Sequence, residues 1–268
     1  MENFEFVSPT HFVFGRDAEL QVGTKLAERG AKKVLLHYGG QSAQKSGLLD
    51  RVKGALKDAG IDWVELGGVR PNPEITLSRE GIKICKEQGI DWVLAVGGGS
   101  VVDSSKAIAV GARYDGDVWE LFETKEQVTD VLPIAVVLTI PAAGSEASKN
   151  TVVSNDELGM KSGYANNAQR PKLAFMNPEL TFTLPPYQTA AGITDMYCHL
   201  LERFFCDVGP VPITDNMNLS VMRTIRAEAP RVMVNPEDYE ARANIMWAAM
   251  VAQNNITGVG RAQDWGTH

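Results

Sequence analysis

Between residues 92 and 110 the chain passes from an unbroken apolar run, Trp92 to Val96, through Gly97-Gly98-Gly99-Ser100 into the helix-like text of Val101 to Val110. An apolar run of that kind is a strand buried on both faces, which belongs in a parallel sheet covered by helices. The text on either side repeats the alternation. Lys33 to Leu36 reads as a strand; Leu48, Leu49, Val52, Leu56 and Ala59 then recur at helical spacing up to Gly60, and Asp62 to Leu66 is the next strand. After Arg70-Pro71-Asn72-Pro73, Leu77, Gly81, Ile84 and Cys85 line one face of a helix closed by Gly89, and Leu132 to Leu138 is a further strand. Strands and helices taking turns predict an α/β fold with a Rossmann-like parallel-sheet domain. Beyond residue 180 the character changes. Pro185-Pro186 opens a segment running through Phe205, and helix-like text follows at 212–234 and 237–256. The expected organisation is an α/β domain over residues 1–180 and an all-helical domain over residues 181–268. No internal repeat or tether separates them.

The formal net charge of -7 and a pI near 5.2 disfavour nucleic acid and anionic lipid as partners, because a negative field repels both. The three cysteines, Cys85, Cys198 and Cys206, show no CxxC spacing and suggest neither a disulfide framework nor a cysteine zinc site. The N-terminus has no basic stretch followed by an apolar run, and no segment approaches the about 18 apolar residues of a membrane span. A cytoplasmic protein is expected.

A strand, a glycine cluster and a helix in direct succession bring unhindered N–H groups and the positive end of a helix dipole to one point, where an anion belongs. The bland alternative is a turn that needs glycine for its backbone angles alone. Gly39-Gly40-Gln41-Ser42 stands directly after an earlier strand, so a second backbone-rich loop sits at the same carboxyl edge of the sheet, where open α/β folds bind ligands. That loop lacks the acid that usually grips an adenosine ribose and excludes a 2'-phosphate, which favours NADP over NAD. Neither loop matches GxGxxG.

In Gly192-Ile193-Thr194-Asp195-Met196-Tyr197-Cys198-His199 a carboxylate and an imidazole stand at i and i+4, on one helix face and within reach of one ion. The alternative is an ordinary hydrogen-bonded Asp–His pair. Glu202 faces the same way, as a partner behind the ligands or as a solvated charge. Of the other three histidines, His11 and His37 lie in or beside N-terminal strands and read as structural. His268, behind Asp264-Trp265-Gly266-Thr267, reads by itself as a loose terminal residue. Imidazole with carboxylate suits Fe(II), Zn(II), Mn(II) or Co(II) and offers nothing to select Cu(I).

Four motifs carry a family resemblance over the whole chain: Arg-Pro-Asn-Pro at 70–73, Gly-Gly-Gly-Ser-Val-Val-Asp-Ser-Ser-Lys at 97–106, Ala-Gly-Ser-Glu at 143–146 and Gly-Ile-Thr-Asp-Met-Tyr-Cys-His at 192–199. The chain resembles the iron-containing alcohol dehydrogenases, in particular their NADPH-dependent butanol dehydrogenase-like branch. The resemblance implies a dehydroquinate synthase-like architecture and hydride transfer between NADP, or NAD, and a small aldehyde or primary alcohol. It implies Fe(II) or Zn(II) held by Asp195, His199 and His268, and a cofactor surrounded by Gly39, Gly40, Ser42, Asn72, Gly97, Gly98, Gly99, Ser100, Thr139, Ser145 and Lys161. Asp103 falls close to the nicotinamide end. Without the resemblance, Lys161 is a solvated charge and Thr139 a strand-end hydroxyl. No side chain beyond the metal ligands is assigned a catalytic role. A homodimer is implied, through the strand near His11 to Phe14.

Two departures stand out. Ala143 occupies a position where many family members have threonine. Family members also continue past His268 with further helices and a fourth histidine ligand, so a truncated helical domain is expected. Two alternatives go with it: a dinucleotide-binding copy impaired in catalysis, and a glycerol dehydrogenase-like relative.

Overall fold

The computed structural model describes residues 1–206, 209–263 and Trp265. By internal contact the chain divides into two units, Pro9–Thr139 with Lys149–Met176, and Met1–Ser8 with Ile140–Ser148 and Asn177–His268.

The first unit is the α/β part. In chain order it contains β1 (His11–Phe14), α1 (Val22–Ala27), β2 (Lys33–Tyr38), the single turn α2 (Ser42–Lys45), α3 (Leu48–Asp58) and β3 (Asp62–Leu66). There follow α4 (Ile75–Gln88), β4 (Trp92–Gly97), α5 (Gly99–Gly111), α6 (Val118–Thr124), β5 (Ile134–Leu138), β6 (Asn150–Asn155), β7 (Met160–Ala165) and β8 (Leu173–Met176). Six strands form one sheet in the order β1-β8-β5-β4-β2-β3, every pair parallel. Every residue of β4, β5 and β8 is buried, as a sheet covered on both faces requires. The covering helices present one apolar face each: Leu48, Leu49, Val52 and Leu56 of α3 are buried while its other side is wet. Gly89 ends α4 in the left-handed region at φ 64°, its N–H donating back to the Cys85 carbonyl, a conformation that glycine adopts without strain.

The strands β6 and β7 make an antiparallel hairpin outside this sheet. Its alternating side chains include Val153 and Tyr164, which pack with Trp119 and Phe122 of α6 and with Ala107 and Val110 of α5. The Tyr164 hydroxyl donates to the Glu126 carbonyl at 2.6 Å. Burying one side chain of this size contributes about 1.5–3 kcal/mol, so these two residues hold the hairpin in place.

The second unit contains α7 (Pro186–Phe204), α8 (Pro212–Val234) and α9 (Tyr239–Gln253). Its core joins Met196 and Leu200 of α7 to Met222 and Ile225 of α8 and to Ile245, Ala248, Ala249 and Ala252 of α9. The sequence reading placed one boundary at residue 180; by contact, Met1–Ser8 and Ile140–Ser148 group with the helices. The cause is close backbone approach. The Glu2 N–H donates to the Gly260 carbonyl at 3.0 Å, and Gly192 leaves room beside the Pro141 carbonyl that a Cβ would invade at 2.6 Å. Among the described residues no helix is long and apolar enough to cross a membrane.

Candidate active site

Chain order around the sheet reverses between β2 and β4: β2 leads to β3 on one side, whereas β4 leads to β5 and on toward β8 and β1 on the other. In open α/β sheets the crevice outside the carboxyl ends of such neighbouring strands is where ligands bind. Both glycine loops leave from these two strand ends. Gly97 closes β4, Gly98 stands before α5 in an extended conformation, and Gly99 is the first helical residue. No side chain caps α5 and no acid lies in its first turn. The first N–H groups of a helix have no partner within it, so this end offers donors and positive dipole to an anion.

Both loops close on one side chain. A Cβ on Gly97 would stand 2.4 Å from the Val101 Cγ2, so any substitution there forces Val101 to shift, and a Cβ on Gly39 would meet the same methyl at 3.6 Å. A Cβ on Gly40 would meet nothing, so that glycine faces open space. The Thr139 N–H donates to the Gly97 carbonyl at 3.0 Å and extends the edge to β5. Ser42 is exposed at the start of α2. Gly39, Gly40, Gly97 to Ser100 and Thr139 thus share one carboxyl edge. Val101, the spacer beneath both loops, carries no signal in the sequence.

His37 sits one residue before the end of β2 and is fully buried. The Leu66 carbonyl 2.8 Å from its Nδ1 can only accept, so Nδ1 carries the proton and Nε2 accepts from the Ser104 hydroxyl at 2.9 Å. Burial pulls this imidazole down from 6.5 to about 4, against the opposing effect of the Leu66 bond. His37 therefore ties the strand under one glycine loop to the helix that follows the other.

Asn72 and Lys161 meet. Asn72 occupies the left-handed region at φ 57°, and its Oδ1 accepts from the Lys161 Nζ at 2.8 Å. The hairpin delivers the lysine, since the Ser154 N–H donates to the Pro73 carbonyl at 2.9 Å. Asp103, one turn into α5, is committed to the same hairpin: its Oδ2 accepts from the Val152 N–H at 3.0 Å and its carbonyl from the Thr151 hydroxyl at 2.8 Å. Ser145 is buried after a left-handed Gly144 and belongs to the helical unit.

In that unit Asp195 and His199 stand one turn apart on α7 with the His199 Nε2 3.9 Å from the Asp195 Oδ1. The imidazole is buried and the carboxylate about one-third exposed. Two metal bonds of about 2.1 Å each span up to about 4.2 Å, so both atoms lie within reach of a single cation. Borderline nitrogen with hard oxygen is a donor set for iron or zinc. Among the described residues no group of three histidines, cysteines or acids gathers around one point. His268 lies outside the described residues.

Two neighbours of the pair were missed by the sequence reading. Trp265 meets the edge of the His199 ring with centroids 5.8 Å apart, and Arg203 stacks over the same indole at 5.0 Å. Arg203 follows His199 by four positions, a spacing visible in the sequence; Trp265 gave no periodic signal.

A family model described as iron-containing alcohol dehydrogenase matches residues 9–178, and one described as Fe-containing alcohol dehydrogenase family, C-terminal, matches residues 189–268. The chain is 41% identical over 268 residues to the probable NADH-dependent butanol dehydrogenase 2 of Bacillus subtilis, covering 100% of this chain and 68% of that protein. It is 36% identical over 271 residues to the NADPH-dependent aldehyde reductase YqhD of Escherichia coli, covering 100% and 69%. Among solved structures, the NADH-dependent butanol dehydrogenase A of Thermotoga maritima has a TM-score of 0.95 at 43% identity, over 98% of this chain and 66% of that one. The chain thus spans about two thirds of the length of these relatives.

Proposed function

Because this chain belongs to the iron-containing alcohol dehydrogenase family, we propose that it serves hydride transfer between NADPH and a small aldehyde, running backwards as a primary alcohol dehydrogenase. The observation that carries the proposal is the convergence of the His199 Nε2 and the Asp195 Oδ1, 3.9 Å apart. When bound, the cation supplies Lewis acidity at a substrate oxygen and the dinucleotide supplies the hydride.

The chain's own residues bind and orient. His199 and Asp195 hold the cation, and burial of the imidazole limits its alternative rotamers. The α5 N-terminus receives the pyrophosphate at Gly98 to Ser100, with Gly40 open to its approach. Lys161, fixed by Asn72, adds a positive charge at the edge of the hairpin.

NADPH is preferred because no acid stands between Gly39 and Lys45. Glu65 at the end of the neighbouring β3 is already engaged, by the Lys53 Nζ at 2.8 Å and the Tyr38 hydroxyl at 3.2 Å. The net charge of -7 supports a cytoplasmic protein without nucleic-acid or lipid partners. Homodimer formation is supported by the terminal position of β1 in the sheet.

The test is oxidation of NADPH or NADH by C3 to C6 aldehydes after loading with iron or zinc. Metal-dependent turnover with a higher kcat/KM for NADPH is expected; absence of both NADPH binding and turnover with either metal overturns the proposal.

A further inference from the structure

We infer that Arg203 and Trp265 form a brace behind His199 that fixes the imidazole for its metal, an inference that rests on the metal reading above. Arg203 stands one turn beyond His199 on α7 and so shares its face. It is only 2% exposed, and a buried cation is costly unless its surroundings compensate it. Among the described residues the compensation consists of amide oxygens and a ring. The Nη2 donates to the Gln253 Oε1 at 2.7 Å and the Nε to the Gln263 Oε1 at 3.4 Å. The Nη1 has no hydrogen-bond partner there. The guanidinium instead lies over the Trp265 ring, with its carbon 5.0 Å from the centroid, a geometry in which a desolvated cation is attracted to the π face.

The indole thus contacts both the guanidinium over its ring and the His199 ring, which it meets in an edge arrangement at an interplanar angle of 68°. The Arg203 side of this cluster packs tightly against Gly258. Gly258 leaves no room, since a Cβ there would come within 2.9 Å of the Arg203 Nε and 2.4 Å of the Gln263 Nε2. The Gln263 Nε2 donates to the Asn255 Oδ1 at 2.8 Å, and the Arg261 Nη1 donates to the Phe204 carbonyl at 3.0 Å. The segment that carries Trp265 is tied to the last turns of α7 at several points. A histidine ligand works only with its ring turned so that the lone pair faces the ion; His199 here has its Nε2 on the Asp195 side. Groups that fix such a ring change metal affinity by about 10- to 100-fold. Arg203 and Trp265 are accordingly positioning residues, acting through His199.

The probe is Co(II), titrated into the intact chain and followed by its visible absorption, with NADPH affinity and the melting temperature of the metal-free protein measured alongside. Trp265→Leu is expected to raise the Co(II) Kd by at least about 10-fold and to leave NADPH affinity unchanged. Trp265→Phe, which keeps a ring for both neighbours, restores most of the affinity; a residue that served only folding would lower the metal-free melting temperature and NADPH affinity instead. Arg203→Met is expected to weaken Co(II) in the same sense, and if that variant does not fold, Trp265→Leu decides. A Trp265→Leu protein that binds Co(II) like the wild type overturns the brace. Asp195→Ala separates the two ideas: a wild type that binds Co(II) no better than Asp195→Ala sinks the metal reading and the brace with it. A wild type clearly tighter than Asp195→Ala but equal to Trp265→Leu sinks the brace alone.

Discussion

The glycine-lined carboxyl edge of the sheet and the proposed α7 site are built from opposite materials. At the edge the proposed ligand-facing groups are backbone N–H donors, and side chains matter chiefly by their absence: at Gly97 the space a Cβ would need is taken by Val101. At α7 the backbone is an ordinary helix, and the proposed ligands are two side chains one turn apart. Anion recognition by a helix terminus tolerates much variation around it, whereas a metal site depends on each donor atom. The difference shows how each region fails when changed.

Removal of Asp195 gives the largest effect. Asp195→Ala takes away a ligand outright and should weaken metal by more than about 100-fold, above the range for groups that only support a ligand, with the NADPH Kd unchanged. Metal analysis and NADPH fluorescence titration check this, and a parallel loss of NADPH affinity would break the contrast between the two regions.

The second effect belongs to the edge. Because burial lowers His37 from 6.5 to about 4, the unfolded chain takes up a proton there before the folded one does. Stability from this group is complete above pH 6.5 and is lost as pH falls toward 4, amounting to about 3 kcal/mol. Denaturant unfolding across that window should show a steeper acid loss for the wild type than for His37→Gln; equal slopes would place the histidine outside the strand-to-helix tie.

Gly97→Ala follows. Overpacking against Val101 should cost about 1–3 kcal/mol and weaken NADPH, and Val101→Ala in the same protein should recover most of both. Failure of the second change to rescue the first would mean that sterics at Val101 do not govern the loop. The smallest effect is Lys161→Ala, which breaks one exposed bond to Asn72. About 0.5 kcal/mol of stability and a salt-sensitive rise in the NADPH Kd are expected.

The sequence revealed the two regions unequally. Strand, glycine cluster and helix are adjacent in the chain, so β4, Gly97 to Gly99 and α5 could be read directly, as could the Asp195–His199 spacing once α7 was recognised as a helix. The hairpin was missed because its strands are rich in polar residues, and β7 is largely wet, with Met160, Lys161 and Ala165 exposed. Lys161 reaches Asn72 only because that hairpin folds back over 89 positions, and no local period records such a return. β8 was missed for a different reason: Leu173-Ala174-Phe175-Met176 is too short a run to separate from its surroundings. The grouping of Ile140–Ser148 with the helices depends on close approaches at Gly144 and Gly192, which glycine content alone does not disclose.

The proposed activity requires one cation held between Asp195 and His199. Anomalous diffraction at the iron edge from crystals of the iron-loaded protein tests this directly. The predicted result is a single peak about 2.1 Å from both the Asp195 Oδ1 and the His199 Nε2. A peak elsewhere, with these two atoms bonded only to each other, would contradict it.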